Sequence, residues 1–168
     1  ACLWDSSAVT ACVKAGVGRH ITLDVGGKVD GRHGAPLTVT GVVRTLSDGR
    51  FIHKGPMMRG LPGRLGPTAV LDVDDVKVIL ITHRWQTLDP EMIRFVGIDP
   101  LEQKILVIKS TIHYRAAFEP FGDVIETAVQ AMQAAALDYI LKPLKLSEIR
   151  PVLSRALSLR RMRLENLE

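Results

Sequence analysis

Histidine is the residue type in this chain most able to do metal or acid–base chemistry, and the sequence contains five of them. None belongs to an H-E-x-x-H pattern, and no two are spaced to share one helical turn. Zinc hydrolysis needs about three fixed ligands and an open position for an activated water. The sequence therefore predicts no metal site and no cofactor in this chain. The five are His20, His33, His53, His83 and His113.

A second candidate site is the run His113-Tyr114-Arg115, which follows an apolar segment at residues 104–109. Proteins of the α/β class commonly place ligand-contacting groups just after a buried strand. Arg115 could bind a substrate carboxylate through a bidentate pair. The alternative is a polar strand end that caps a helix or packs between domains. We predict substrate binding by these three residues and no catalytic residue.

The run Gly26-Gly27-Lys28 could be taken for a phosphate-binding loop. It lacks the spacing of a Walker motif, and no helix clearly follows it. A glycine turn is the better interpretation. The two cysteines, Cys2 and Cys12, are too few for a disulfide framework and lack metal-ligand spacing, so buried reduced thiols are expected.

Composition favours a globular protein, because 46% of the 168 residues are hydrophobic and 24% are charged. No apolar run reaches the roughly 18 residues that a membrane span needs, so we predict a soluble protein without a membrane partner. The expected reduced thiols favour a cytoplasmic location. The chain opens at Ala1 without methionine, directly into Cys2-Leu3-Trp4. We expect this to be the end of a strand whose earlier part is absent, as in a fragment.

The net charge of +4 is concentrated near the end of the chain, where seven basic residues against three acidic ones follow from residue 142 onward. Such a segment could attract nucleic acid or anionic lipid. It could equally be a solvated helix face whose cations complement the helix dipole. The second interpretation is favoured because no aromatic residue is interleaved for base stacking.

Residue patterning predicts an α/β fold built on a mixed sheet with β-hairpins and flanking helices. Asp5 is expected to cap a helix with Val9, Cys12 and Val13 on its inner face. Asp89-Pro90-Glu91 indicates another helix start, ending at Gly97. The other predicted elements are strands at 19–25, 37–46, 50–52 and 104–109, a hairpin at 68–82, a loop at 55–66 and a short helix after residue 110.

Residues 1–121 resemble the C-terminal domain of the microcystinase C (MlrC) family. The resemblance rests on Trp4-Asp5-Ser6-Ser7, Gly26-Gly27-Lys28, Ser47-Asp48-Gly49-Arg50-Phe51, Gly66-Pro67-Thr68-Ala69-Val70 and Lys109 through Phe118. It implies a relative of zinc-dependent peptidases or amidohydrolases that cleave linearised peptides. It also implies that the zinc ligands belong to a separate N-terminal domain, so no ligand position is carried over to this chain.

Residues 122–168 resemble the last helix, strand and helix of a response-regulator receiver domain. The resemblance rests on Gly122-Asp123-Val124, on 137–143 with its Lys142-Pro143, and on 153–157. It implies that Lys142 occupies the position that contacts the phosphoryl group in receivers. Residues 1–109 present neither the acidic pair for magnesium nor the phosphoacceptor aspartate that such transfer requires.

Because only Pro120-Phe121-Gly122 lies between the two parts, we predict one merged α/β domain. The strand at 138–141 would then extend the sheet beside 105–108. Two functions remain open. The chain is either a non-catalytic metallopeptidase fragment, whose partner is the missing peptidase domain or another protein, or a signalling or scaffold module with receiver-like surfaces.

Overall fold

The computed structural model describes residues 2–30, 34–110, 112–122, 126–127 and 139–140. The chain divides into two compact units, residues 1–120 and 121–168. The first unit has a mixed α/β fold with few helices, as the residue patterning predicted. Its elements are β1 (Cys2–Trp4), α1 (Ser6–Ala15), β2 (His20–Val25), β3 (Leu37–Ser47), β4 (Arg50–Ile52), β5 (Pro62–Arg64), β6 (Thr68–Val73), β7 (Val76–Ile81), α2 (Glu91–Arg94) and α3 (Arg115–Phe118).

Five of these strands form one sheet in the order β1-β7-β6-β3-β2. Strand β1 runs parallel to β7, with Leu3 opposite Leu80, and the other neighbours are antiparallel. The expected strand at Cys2–Trp4 is therefore present, at one edge of the sheet. Strands β4 and β5 form a separate antiparallel pair.

The hairpin of β6 and β7 is the clearest agreement between sequence and structure. Its turn residues, Asp74 and Asp75, have φ of 47° and 68°. Two consecutive positive φ values match the right-handed twist of the flanking strands, and aspartate tolerates this conformation better than most residues. The hairpin then brings Leu71 and Leu80 into the core.

Helix α1 packs its inner face against the main sheet. Asp5 caps the helix by accepting a hydrogen bond from the backbone N–H of Ala8 at 3.0 Å. Val13, predicted on the inner face, is exposed, because the buried stripe runs through Ala8, Val9 and Cys12 instead. These three side chains pack with Val25, Val43, Ala69, Leu71 and Leu80 of the sheet.

Three predicted elements of the first unit differ from the structure. The loop predicted at 55–66 contains β5, because Pro62–Arg64 pairs with β4. Residues 104–109 do not form a strand, and Ile105 and Val107 are exposed. An apolar, β-branched run forms a strand only when a neighbouring strand pairs with it, and no pairing of this run exists among the described residues. The helix predicted for 89–97 is shorter, because α2 begins only at Glu91 and ends at Arg94.

The second unit contains β8 (Glu126–Thr127) and β9 (Tyr139–Ile140), which pair in parallel. A strand was expected at 138–141, but its partner is β8 and not residues 105–108. Residues 126 and 127 are extended where a receiver-like helix was predicted. Apart from Gly122, the remaining residues of the predicted receiver-like segment, including Lys142, lie outside the described residues. The receiver resemblance and the merged domain therefore stay predictions.

No helix of the described residues is long and apolar enough to cross a membrane. The cytoplasmic location stays a prediction.

Candidate functional site

Three loops of the first unit are connected by polar contacts. One follows β4 and contains His53 and Gly55, the second runs from β7 to α2, and the third leads into α3. Lys54 of the first loop lies 3.1 Å from Glu91 at the start of α2. Because β7 runs parallel to β1, the second loop leaves the sheet at the edge where the carboxyl ends of these strands lie, a common ligand position in α/β proteins.

A buried histidine and a buried aspartate join the first two loops. His53 Nδ1 lies 3.1 Å from Asp89 Oδ2, and the two side chains are 0% and 1% exposed. The ring of Phe51 meets the His53 ring edge-on at 4.7 Å between centroids, and Phe95 stacks on Phe51. The pair therefore lies in a dry, partly aromatic environment.

Asp89 is held by backbone donors as well as by His53. The N–H of Gly55 donates to Oδ2 at 2.7 Å, and the N–H of Glu91 donates to Oδ1 at 2.9 Å. These bonds offset the cost of burying an ionised carboxylate. The residue directly before α2 is Pro90, but the predicted cap residue Asp89 still accepts the N–H of Glu91 at the start of α2, and it also fixes the loop of Gly55.

The free nitrogen of His53 is chemically distinctive. In the neutral imidazole, Nδ1–H would donate a hydrogen bond to the carboxylate of Asp89, and Nε2 would carry a lone pair. Nε2 is buried and has no hydrogen-bond partner among the described residues. A carboxylate-oriented imidazole of this kind can accept a proton or supply one ligand atom. Its complete burial keeps it from acting on a substrate in solution while the loops hold their present positions.

The three predicted substrate-binding residues have different surroundings. His113 is exposed, and its Nδ1 lies 2.7 Å from Oε1 of Gln86, which connects the second and third loops. Tyr114 is buried and directly precedes α3. Arg115 binds Glu119 at 2.8 Å, one helical turn further on. Only His113 and Arg115 therefore present polar groups near solvent, and substrate binding stays a prediction.

The run Gly26-Gly27-Lys28 forms a structural contact around Asp5. Lys28 Nζ lies 2.8 Å from Asp5 Oδ2, and the N–H of Gly26 donates to the same oxygen at 2.9 Å. Burial alone would raise the pKa of Asp5, but hydrogen bonds from Lys28, Ala8, Gly26 and Ser7 outweigh it, and the pKa lies below its ordinary value. The Lys28 amine is occupied by Asp5, which fits the predicted glycine turn.

The described residues offer few of the ligands that zinc requires. Among them, no group of three or more His, Cys, Asp or Glu side chains could hold a metal ion. The best partial set is His53 and Asp89, in which the facing atoms are bonded to each other. A zinc site with about three ligands and an open position does not fit these residues.

His53 and Asp89 were not recognised as a pair from the sequence. They are separated by 36 residues and lie on different loops, so no spacing pattern joins them. The available signal was weaker. His53 follows a strand two residues before Gly55, and Asp89 precedes a helix beside Pro90, and such loop positions often carry functional side chains.

Comparison with known proteins places the chain in a family. The chain belongs to the family described as MlrC C-terminus, whose model matches residues 1–136. The predicted resemblance is thereby confirmed, and the match continues past residue 121.

The chain is also similar to individual proteins. It is 27% identical over 137 residues to microcystinase C from a Sphingomonas species, covering 82% of this chain and 26% of that protein. A crystal structure of a candidate metallopeptidase from Mesorhizobium sp. BNC1 is similar with a TM-score of 0.66 and 28% identity, over 82% of this chain and 25% of that one. The chain thus spans about a quarter of the length of either relative.

Proposed function

We propose that this chain is the C-terminal part of an MlrC-like zinc metallopeptidase, and that peptide-bond hydrolysis belongs to the complete enzyme. The observation that carries the proposal is the family match over residues 1–136, in a chain that spans about a quarter of its relatives. In the complete enzyme, zinc would supply an activated water for hydrolysis. That zinc would be held by the peptidase domain outside this chain, which is its proposed partner.

The described residues support a positioning role for this part. The His53–Asp89 pair fixes the Gly55 loop against α2, and the Gln86–His113 contact fixes the segment that leads into α3. Rigid loops of this kind can present side chains to a substrate that is held elsewhere. His113 is the better candidate for such contact, because a substrate carboxylate would have to compete with Glu119 for Arg115.

Zinc titration of the metal-free chain by calorimetry tests the proposal, with a peptide-hydrolysis assay on the same sample. We expect no tight stoichiometric zinc binding and no hydrolysis. Tight binding at one zinc per chain, together with hydrolysis that a chelator abolishes, would overturn it. The variant His53→Ala would then show whether the buried pair contributes a ligand, with His20→Ala as an exposed control.

A further inference from the structure

An exposed aromatic and cationic surface lies where the chain leaves β7. It consists of Trp4, Arg84 and Trp85, and is called the tryptophan surface below. Both tryptophans of the chain are in it. Trp4 is 41% exposed and Trp85 is 42% exposed. Arg84 contacts the Trp4 ring and Trp85 follows Arg84 directly in the chain, so exposed aromatic side chains and a cation occur together here.

The surface has a defined geometry on one side. The indole N–H of Trp4 donates to the carbonyl oxygen of Thr82 at 2.9 Å, which holds the ring against the end of β7. The guanidinium carbon of Arg84 lies 5.3 Å from the centre of the Trp4 ring. This cation–π contact positions Arg84 and leaves its N–H groups available as hydrogen-bond donors.

The charge of Arg84 is not compensated within the part of the chain that the structure describes. Neither a carboxylate nor any other hydrogen-bond acceptor pairs with it there, in contrast to Arg44 and Arg94, which bind Asp72 and Asp99. A guanidinium with free donors binds carboxylates in a bidentate manner. Tryptophan and arginine are also the residues enriched where binding energy concentrates in interfaces.

We propose that the tryptophan surface binds a peptide segment through an acidic side chain on Arg84 and a neighbouring apolar side chain on the exposed Trp4 indole. A side-chain carboxylate fits better than a terminal one. Terminal carboxylates are typically captured by backbone nests, which need a left-handed residue. No residue between 82 and 88 has a positive φ. Binding here requires no zinc, so it succeeds or fails independently of the proposed function.

Three tryptophan-free peptides test the proposal, with the fluorescence of the protein as the signal. The first is acetyl-Gly-Phe-Glu-Leu-Gly-amide, the second replaces its Glu with Gln, and the third is the Gln peptide with a free C-terminal carboxylate. We expect saturable binding of the Glu peptide at low salt, with affinity about fivefold above that of the Gln amide. Because surface charges are screened, this preference should shrink as salt is added.

Two matched variants locate the contact. Arg84→Gln should remove the preference for the Glu peptide. Lys77→Gln removes the same unit charge from an exposed position near the other end of β7, and should keep the preference. Equal binding of the Glu and Gln peptides, an effect of the same size in both variants, or no binding of any peptide would overturn the proposal. Tighter binding of the free-carboxylate peptide than of the Glu peptide would overturn the choice of a side-chain carboxylate.

Discussion

His53 Nδ1 lies 3.1 Å from Asp89 Oδ2, and the carboxylate also accepts the backbone N–H groups of Gly55 and Glu91. One buried side chain therefore connects the loop after β4 with the start of α2. Because both members of the pair are almost completely buried, water cannot replace a lost partner. Loss of this carboxylate should therefore destabilise the folded protein more than loss of any surface ion pair.

The first prediction concerns Asp89→Asn. The amide keeps the size of the side chain but turns one acceptor into a donor, which then faces the N–H of Gly55 or Glu91. We expect a loss of roughly 3 kcal/mol in the free energy of unfolding, measured by urea denaturation. Asp48→Asn, at an exposed ion pair with Arg50, should change it by less than about 0.5 kcal/mol. Losses of equal size would contradict the role assigned to Asp89.

The second prediction concerns acid stability. The pKa of Asp5 is lowered from its ordinary 3.8 in the folded protein, so the unfolded chain takes up the proton first as pH falls. The stability that this carboxylate contributes is complete above about pH 3.8 and is lost as pH falls through the lower folded pKa. Asp5→Asn should be less stable than the parent at pH 6, and the difference should narrow below pH 3.8. Free energies of unfolding of both proteins, measured from pH 6 to below pH 3.8, check this prediction. A stability difference that stays constant with pH would contradict it.

The third prediction compares two glycines with left-handed backbones. Gly49 and Gly60 have φ of 76° and 83°. A Cβ on Gly49 would lie impossibly close to the backbone of Gly66, whereas one on Gly60 would meet open space. Gly60→Ala should therefore lower the free energy of unfolding by only about 1 kcal/mol, the conformational penalty of a left-handed alanine. Gly49→Ala should lower the free energy of unfolding by at least about 2 kcal/mol more than this, because the backbone at Gly66 must move to make room for the Cβ. Thermal unfolding of both variants measures the difference, and equal melting temperatures would contradict the close approach.

The fourth prediction concerns the thiols. Cys2 and Cys12 are buried, and burial raises the pKa of both, with the nearby Asp5 carboxylate adding to the effect at Cys12. Since the thiolate is the reactive form, both should react with a thiol reagent at pH 8 at least about 100-fold more slowly in the folded protein than in denaturant. A chromogenic disulfide reagent measures both rates. Fast reaction of the folded protein would show that the thiols are accessible.

Local patterns predicted the elements whose parts are neighbours in the chain. The β6–β7 hairpin and the α1 cap at Asp5 are of this kind, because strand, turn and cap signals are contiguous. The run at 104–109 was misjudged, since apolar β-branched composition does not reveal whether an edge is available for pairing. The order of the sheet and the meeting of His53 with Asp89 depend on contacts between distant segments. Periodicity carries no information about those contacts.

The carboxylate of Asp5 follows one edge strand of the sheet, β1, while the N–H that it accepts from Gly26 follows the other edge strand, β2. This hydrogen bond therefore joins the ends of the two edge strands directly, although three strands separate β1 from β2 in the order of the sheet. Its breakage requires the start of α1 and the end of β2 to separate. Hydrogen exchange at the amide of Gly26 should therefore report on both edge strands, because this amide exchanges only when the start of α1 and the end of β2 separate.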